Sequence, residues 1–155
     1  MRASVLYSSL LLFYALPAVS TRYHIHGAGP NNCIVSTGKE KPGEPVVTVP
    51  FDKACPPDTV VNVNPHVIRG ITHGHVSGKS GLYIGKSKYG RHLEWVDKAY
   101  EWEFSPGAHS PFHVVSVPGT TEYWLNTADT KPVEVMRPPT HADVYWYFDD
   151  VYEDN

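Results

Sequence analysis

Cysteine is scarce in this sequence and glutamine is missing altogether. Among 155 residues there are two cysteines, Cys33 and Cys55, and no Gln. Two cysteines close one disulfide at most, so a disulfide-built scaffold is excluded and an apolar core must supply most of the stability. No stripe of Lys and Arg runs along the chain, which argues against a nucleic-acid partner. No Gly-x-Ser-x-Gly elbow is present. The paired carboxylates Glu101/Glu103 and Asp149/Asp150 fit a solvated strand face and a chain end better than a glycosidase pair. No Asn-x-Ser/Thr occurs, so no N-glycan is expected. Nothing points to an enzyme, and the expectation is a protein that works by binding.

One long apolar run exists, at the start: "MRASVLYSSLLLFYALPAVS". Arg2 gives it a basic start, residues 5–16 form the apolar centre, and Ala18 and Ser20 are small residues at cleavage spacing. These are the marks of a secretory signal peptide over residues 1–20. The run falls short of the roughly 20 apolar residues that span a bilayer. The remainder, residues 21–155, has the size of one domain. Loss of Arg2 takes Lys+Arg from 13 to 12 against 16 Asp+Glu, a formal charge of −4. A secreted protein with no membrane attachment after cleavage is expected, working as a monomer. In that oxidising setting Cys33 and Cys55 are candidates for one disulfide, worth about 3 kcal/mol for a loop of this length.

No long amphipathic helical pattern is present either. Short bursts of β-branched and aromatic residues alternate with Gly/Pro-rich turns, which predicts an all-β domain. The bursts recur in order. "TVVNVNP" (59–65), "YEWEFSP" (100–106) and "VYWYFDD" (144–150) align without gaps, so that Val61, Trp102 and Trp146 share one column and Val63, Phe104 and Phe148 another. The preceding bursts match too: 45–50, 91–97 and 132–138, and before them 33–36, 82–85 and 123–126. Opening strands are expected at 23–26, 67–71 and 112–117. Three four-stranded units are too few to close a propeller. They predict a β-trefoil, twelve strands in three pseudo-symmetric units, with an immunoglobulin-like sandwich as the runner-up.

Fold alone does not give function. Ricin-type sugar-binding trefoils carry Gln two residues before the Trp of the last strand; here Tyr100 and Val144 stand there. That signature is absent, which leaves a carbohydrate-binding module of another type as the alternative reading, with Tyr89, Tyr123 and Tyr152 as aromatics able to stack on a glycan. Two histidine pairs, His24/His26 and His73/His75, would each project to one face of a strand. Without a cysteine or carboxylate at ligand spacing they are read as ordinary strand and loop residues, and the expectation is no metal and no cofactor. A copper site on an N-terminal histidine is disfavoured because the expected mature start is Thr21.

The loops carry the sharper signal. "STGKEKPGE" (36–44) joins strands two and three of the first unit, "GKSKYGR" (85–91) occupies the same place in the second, and "MRPPTHAD" (136–143) joins the last two strands. A basic residue on a loop held in substrate-like form would enter a trypsin-like pocket with its ordering cost already met. Lys41 and Arg137 each precede a proline, which suits a serine protease poorly. Lys39, Lys86 and Lys88 do not.

On its unit pattern, an opening aromatic-x-Ile/Val, a central "P-V-x-V" and a closing "W-x-F", the chain over about residues 22–150 resembles the fungal β-trefoil protease inhibitors. The nearer likeness is to the serine protease inhibitors of the cospin and cnispin type, and the more distant one to the mycocypins, which inhibit papain-like cysteine proteases. The resemblance implies a protease as partner and a reactive basic residue on one of two loops, the regions of Lys39 and Arg137 here. A signal peptide and the Cys33/Cys55 pair depart from that family's pattern.

Overall fold

The structure is a computed structural model that describes residues 20–29, 31–106, 113–126, 132–138 and 143–151. The expected signal peptide lies, apart from Ser20, outside the described residues. The first unit contains β1 (Thr21–Gly27), β2 (Asn32–Ile34), β3 (Thr48–Pro50) and β4 (Val60–Ile68). The second contains β5 (Ile71–Ser77), β6 (Tyr83–Lys86), β7 (Leu93–Val96) and β8 (Trp102–Pro106). The third contains β9 (His113–Ser116), β10 (Tyr123–Leu125), β11 (Glu134–Met136) and β12 (Trp146–Asp150).

The first and last strands of the units form a closed ring, β1-β4-β5-β8-β9-β12 and back to β1, every neighbour antiparallel. The middle strands pair as three hairpins, β2-β3, β6-β7 and β10-β11. A cycle of backbone hydrogen bonds ties the hairpins together: Val46 N–H donates to the Leu93 carbonyl at 2.9 Å, Leu93 to Val133 at 2.8 Å, and Val133 back to Val46 at 2.9 Å. One residue from each unit contributes, so the cycle lies around the pseudo-threefold axis. The architecture is a β-trefoil.

The repeat columns of the sequence are the inner layers. Val61, Trp102 and Trp146 are fully buried, as are Ile25, Val76 and Val115 on the opening strands beside them. Burying these large side chains, each worth about 1.5–3 kcal/mol, is what holds six short strands in a ring. The indole N–H groups of Trp102 and Trp146 each find a backbone carbonyl, which offsets the cost of burying them. Cys33 and Cys55 are bonded, with Cα atoms 5.9 Å apart, and fix β2 to the segment before β4.

One expected strand is misplaced. Residues 67–71 do not open the second unit. Val67 and Ile68 end β4, Ile71 begins β5, and Arg69 and Gly70 between them take φ of 51° and 81°. Two successive left-handed residues make the tight turn whose twist matches a hairpin. The true opening strand, Ile71–Ser77, is diluted in sequence by Thr72, two histidines and Gly74. Gly74 is there for space: a Cβ would lie 2.8 Å from the Asn64 carbonyl oxygen.

Candidate functional site

The connection from β2 to β3, residues 35–47, is the longest loop of the first unit and carries Lys39. Its root is fixed to the barrel: Ser36 N–H donates to the Asp58 carbonyl at 2.8 Å, and Ser36 Oγ accepts from Lys79 N–H at 2.7 Å. Its far side is fixed to the second unit, where Gly43 N–H donates to the Trp95 carbonyl at 2.8 Å and Trp95 N–H donates to the Glu44 carbonyl at 2.9 Å.

Between these anchors the loop braces itself. The Glu40 carboxylate accepts from Gly38 N–H at 3.0 and 3.1 Å and from the Thr37 hydroxyl at 3.3 Å. Lys39 N–H donates to Thr37 Oγ1 at 3.2 Å, and Lys41 N–H donates to the Glu44 carboxylate at 3.0 Å. Gly38 sits at φ 84°, a conformation that glycine adopts without strain. Burial alone would raise the Glu40 pKa. Hydrogen bonds from its own backbone N–H, the Ser80 hydroxyl, Gly38 and Thr37 outweigh that and hold the carboxyl below its ordinary range. The brace is therefore ionised at neutral pH. Lys39 itself is exposed, and its side chain makes no hydrogen bond or ion pair among the described residues.

The other basic candidates are placed differently. Lys86, at the matching position of the second unit, is half-buried and committed to Glu122, with Nζ 2.7 and 2.8 Å from the carboxylate oxygens. Lys88 is exposed and lies 5.2 Å above the ring of Tyr89. Arg137 is exposed beside residues 139–142, which lie outside the described set. Of the aromatics considered for glycan stacking, Tyr89 is 90% exposed, Tyr123 is half-buried in β10, and Tyr152 is outside the described residues.

The histidine pairs do share faces, as the strand period predicts. His26 Nε2 lies 2.9 Å from Asp149, and His24 Nδ1 lies 2.8 Å from the Thr59 hydroxyl. His73 and His75 both neighbour His66, with ring centroids 6.0 Å away in each case, and Glu101 lies 3.3 Å from His66 and 3.2 Å from His73. Among the described residues no three His, Cys, Asp or Glu side chains are arranged to hold a metal ion. The Glu101 and Asp149 side chains reach solvent, as a solvated strand face and chain end predict, and each also meets a histidine from a strand far away in sequence, which no local pattern signals. Glu40 and Glu44 brace the loop that carries Lys39, and their alternation with lysines in "KEKPGE" is the only local sign of it.

No protein-family model and no curated protein matches the chain. Solved structures do. The Rhizoctonia solani agglutinin superposes with TM-score 0.65 at 11% identity, over 88% of this chain and 99% of that one. A Macrolepiota procera ricin B-like lectin in complex with lactose gives 0.61 at 18% identity, over 84% and 97%. A proteinase inhibitor from Coprinopsis cinerea gives 0.55 at 13% identity, over 86% and 99%. At these identities the likeness establishes the β-trefoil fold, which lectins and an inhibitor share.

Proposed function

We propose that the protein is a secreted protease inhibitor, directed at a serine protease, that presents Lys39 as the residue entering the protease's specificity pocket. The observation that carries this reading is the contrast within the loop. The backbone on both sides of Lys39 is held by Thr37, Glu40 and Glu44, while the Lys39 side chain is exposed and uncommitted. A loop ordered before binding loses little conformational entropy on docking. An unpaired ammonium on such a loop complements a pocket with a carboxylate at its base. Glu40 rather than proline follows Lys39, so the position after the anchor is not barred. The Cys33–Cys55 bond, six residues before Lys39, stiffens the same segment and suits an oxidising compartment. Lys86 and Lys88 fit the role less well, since one is spent in an ion pair and the other rests on Tyr89. The resemblance to fungal inhibitors supports the same reading through the fold.

The test is inhibition by the purified protein of trypsin, chymotrypsin, subtilisin and papain, repeated with Lys39→Ala. Tight inhibition of trypsin that falls at least 100-fold in the variant is expected. Full inhibition by the variant would remove Lys39 from the site, and inhibition of papain alone would move the protein to the cysteine-protease type. Silence across the panel would refute the reading. A glycan array then tests the alternative, which the 90% exposed Tyr89 supports.

A further inference from the structure

The β4–β5 hairpin runs past the strands beside it. Its pairing extends from Asn62–Ser77 to Ile68–Ile71. Among the described residues β1 covers β4 only as far as Val63, and β8 covers β5 only as far as Thr72. The end of the hairpin is therefore a free two-stranded ribbon. Such a tip meets water on both faces and is ordinarily polar. This one is not. Among the described residues the large aliphatic side chains left exposed are Val67, Ile68 and Ile71, at 69%, 42% and 44%, and all three lie at this tip. Scattered singly they would need no explanation, but gathered on a projection they mark a contact surface.

The turn adds a cation at a conformational cost. Arg69, at φ 51°, is the one non-glycine residue with positive φ among those described. A two-residue turn of this hand favours Asn-Gly. Backbone strain of this kind gathers where a side chain has a task. Arg69 makes no hydrogen bond or ion pair among the described residues. No Asp or Glu lies between Asn62 and Ser77, and Glu101 at the base of the ribbon is already against His66 and His73. The chemistry of the tip is one arginine set among aliphatics. Pairing with an added strand is opposed by Pro65, which interrupts the stretch of β4 that β1 leaves open and has no N–H to give. A second copy docked tip to tip would set Arg69 against its own image. Three side chains also fall far short of the roughly 800 Å² per partner of a stable protein interface. A bilayer demands neither that area nor a matching shape. Aliphatic side chains enter the boundary between headgroups and acyl chains, and an arginine beside them meets headgroup phosphates. The ribbon holds the rest of the chain, which is net negative, off such a surface, and salt screens it within about 8 Å.

We propose that the tip of the β4–β5 hairpin docks on the surface of a lipid bilayer with anionic headgroups, inserting Val67, Ile68 and Ile71 and placing Arg69 on the phosphates. The contact is peripheral and reversible. It needs no spanning segment, and it does not depend on the role of Lys39. Co-sedimentation of the purified protein with vesicles tests it, comparing phosphatidylcholine alone with phosphatidylcholine containing one-third phosphatidylglycerol. Saturable binding to the anionic vesicles is expected, at least about fivefold tighter than to the neutral ones, the preference one basic residue near a charged surface provides. Arg69→Asn keeps a residue that suits the left-handed turn. It is expected to weaken binding to the anionic vesicles about fivefold without lowering the melting temperature. The triple variant Val67→Thr/Ile68→Thr/Ile71→Thr keeps β-branched side chains in the strands and is expected to lose vesicle binding altogether. Absence of binding to the anionic vesicles, equal binding to the neutral ones, or binding that survives either set of substitutions in a folded protein would overturn the proposal. Sedimentation equilibrium gives a further check. A wild-type dimer that the threonine variant converts to a monomer would put a second copy on the tip, and would overturn it too.

Discussion

Trp102 donates its indole N–H to the backbone carbonyl of Ile84 at 2.8 Å. Trp146 repeats the bond one unit later, to the carbonyl of Trp124 at 3.2 Å. Each bond joins the last strand of a unit to the second strand of that unit, and so locks a hairpin onto the barrel. Trp124 is equally buried, but its own indole nitrogen has no acceptor among the described residues. The two tryptophans therefore make a matched comparison. Trp102→Phe should cost more stability than Trp124→Phe by about 1 kcal/mol, the net worth of a buried hydrogen bond. Urea denaturation of both variants measures the difference, and equal losses would show that volume alone matters at these sites.

The threefold repeat was legible because the inner layers of a barrel accept few side chains, so Val61, Trp102 and Trp146 recur in place. The opening strand of unit two was not. Gly74 and the histidines of β5 carry little apolar signal, and Val67–Ile71 imitates a strand although Arg69 and Gly70 turn the chain back. The Lys39 loop could be located from its Gly, Pro and Lys content. Its bracing could not, since it depends on the Glu40 carboxylate reaching back to Gly38. Lys86 looked equivalent to Lys39 in sequence, and only the fold brings Glu122, 36 residues later, against it.

Glu40→Ala removes the acceptor for Gly38 N–H and the Thr37 hydroxyl while leaving Lys39 in place. If the loop acts by being ordered beforehand, the variant should inhibit trypsin about 10-fold less well, because ordering the loop then costs about 1–2 kcal/mol on binding. The exposed setting predicts a global stability change below about 0.5 kcal/mol. An inhibition constant that stays fixed would separate the brace from function.

Lys86→Met tests the opposite expectation. The Lys86–Glu122 pair joins the second unit to the third, with both side chains about a third exposed or less. Solvent screening limits such a pair to at most about 1 kcal/mol. The variant should lose stability within that limit, visible as a lower denaturation midpoint that narrows in high salt. Inhibition should be unchanged, and any large loss would return Lys86 to the candidate site.

Cys33 and Cys55 are 22 residues apart in sequence, and the bond closes the loop that contains Lys39. The chain-entropy account gives about 3 kcal/mol for a closed loop of this size. The double variant Cys33→Ser/Cys55→Ser should unfold at correspondingly lower denaturant. Because Cys33 is fully buried, a Cys33→Ala/Cys55→Ala pair is the cleaner comparison, since serine adds a polar group to the core. A loss under about 1 kcal/mol in the alanine pair would mean that strand pairing of β2 with β1 and β3 already fixes the segment.

Acid should act on the protein in two separable steps. His24 has a pKa lowered chiefly by burial, and His113 likewise. A histidine depressed in the folded state binds its proton more readily when unfolded, so global stability is complete above the ordinary value of 6.5 and declines as the pH falls through the lower folded values. Glu40 is also depressed, despite its partial burial, by the hydrogen bonds it accepts. Its contribution is complete above its ordinary value of 4.5 and is lost as the pH falls through the folded value beneath that. Denaturation midpoints should therefore begin to fall below pH 6.5 while the loop is still braced. The Gly38 amide resonance, which reports the brace directly, should titrate only below pH 4.5 and lose that inflection in Glu40→Gln. A Gly38 titration centred at or above pH 4.5 would mean that the carboxylate does not hold the loop.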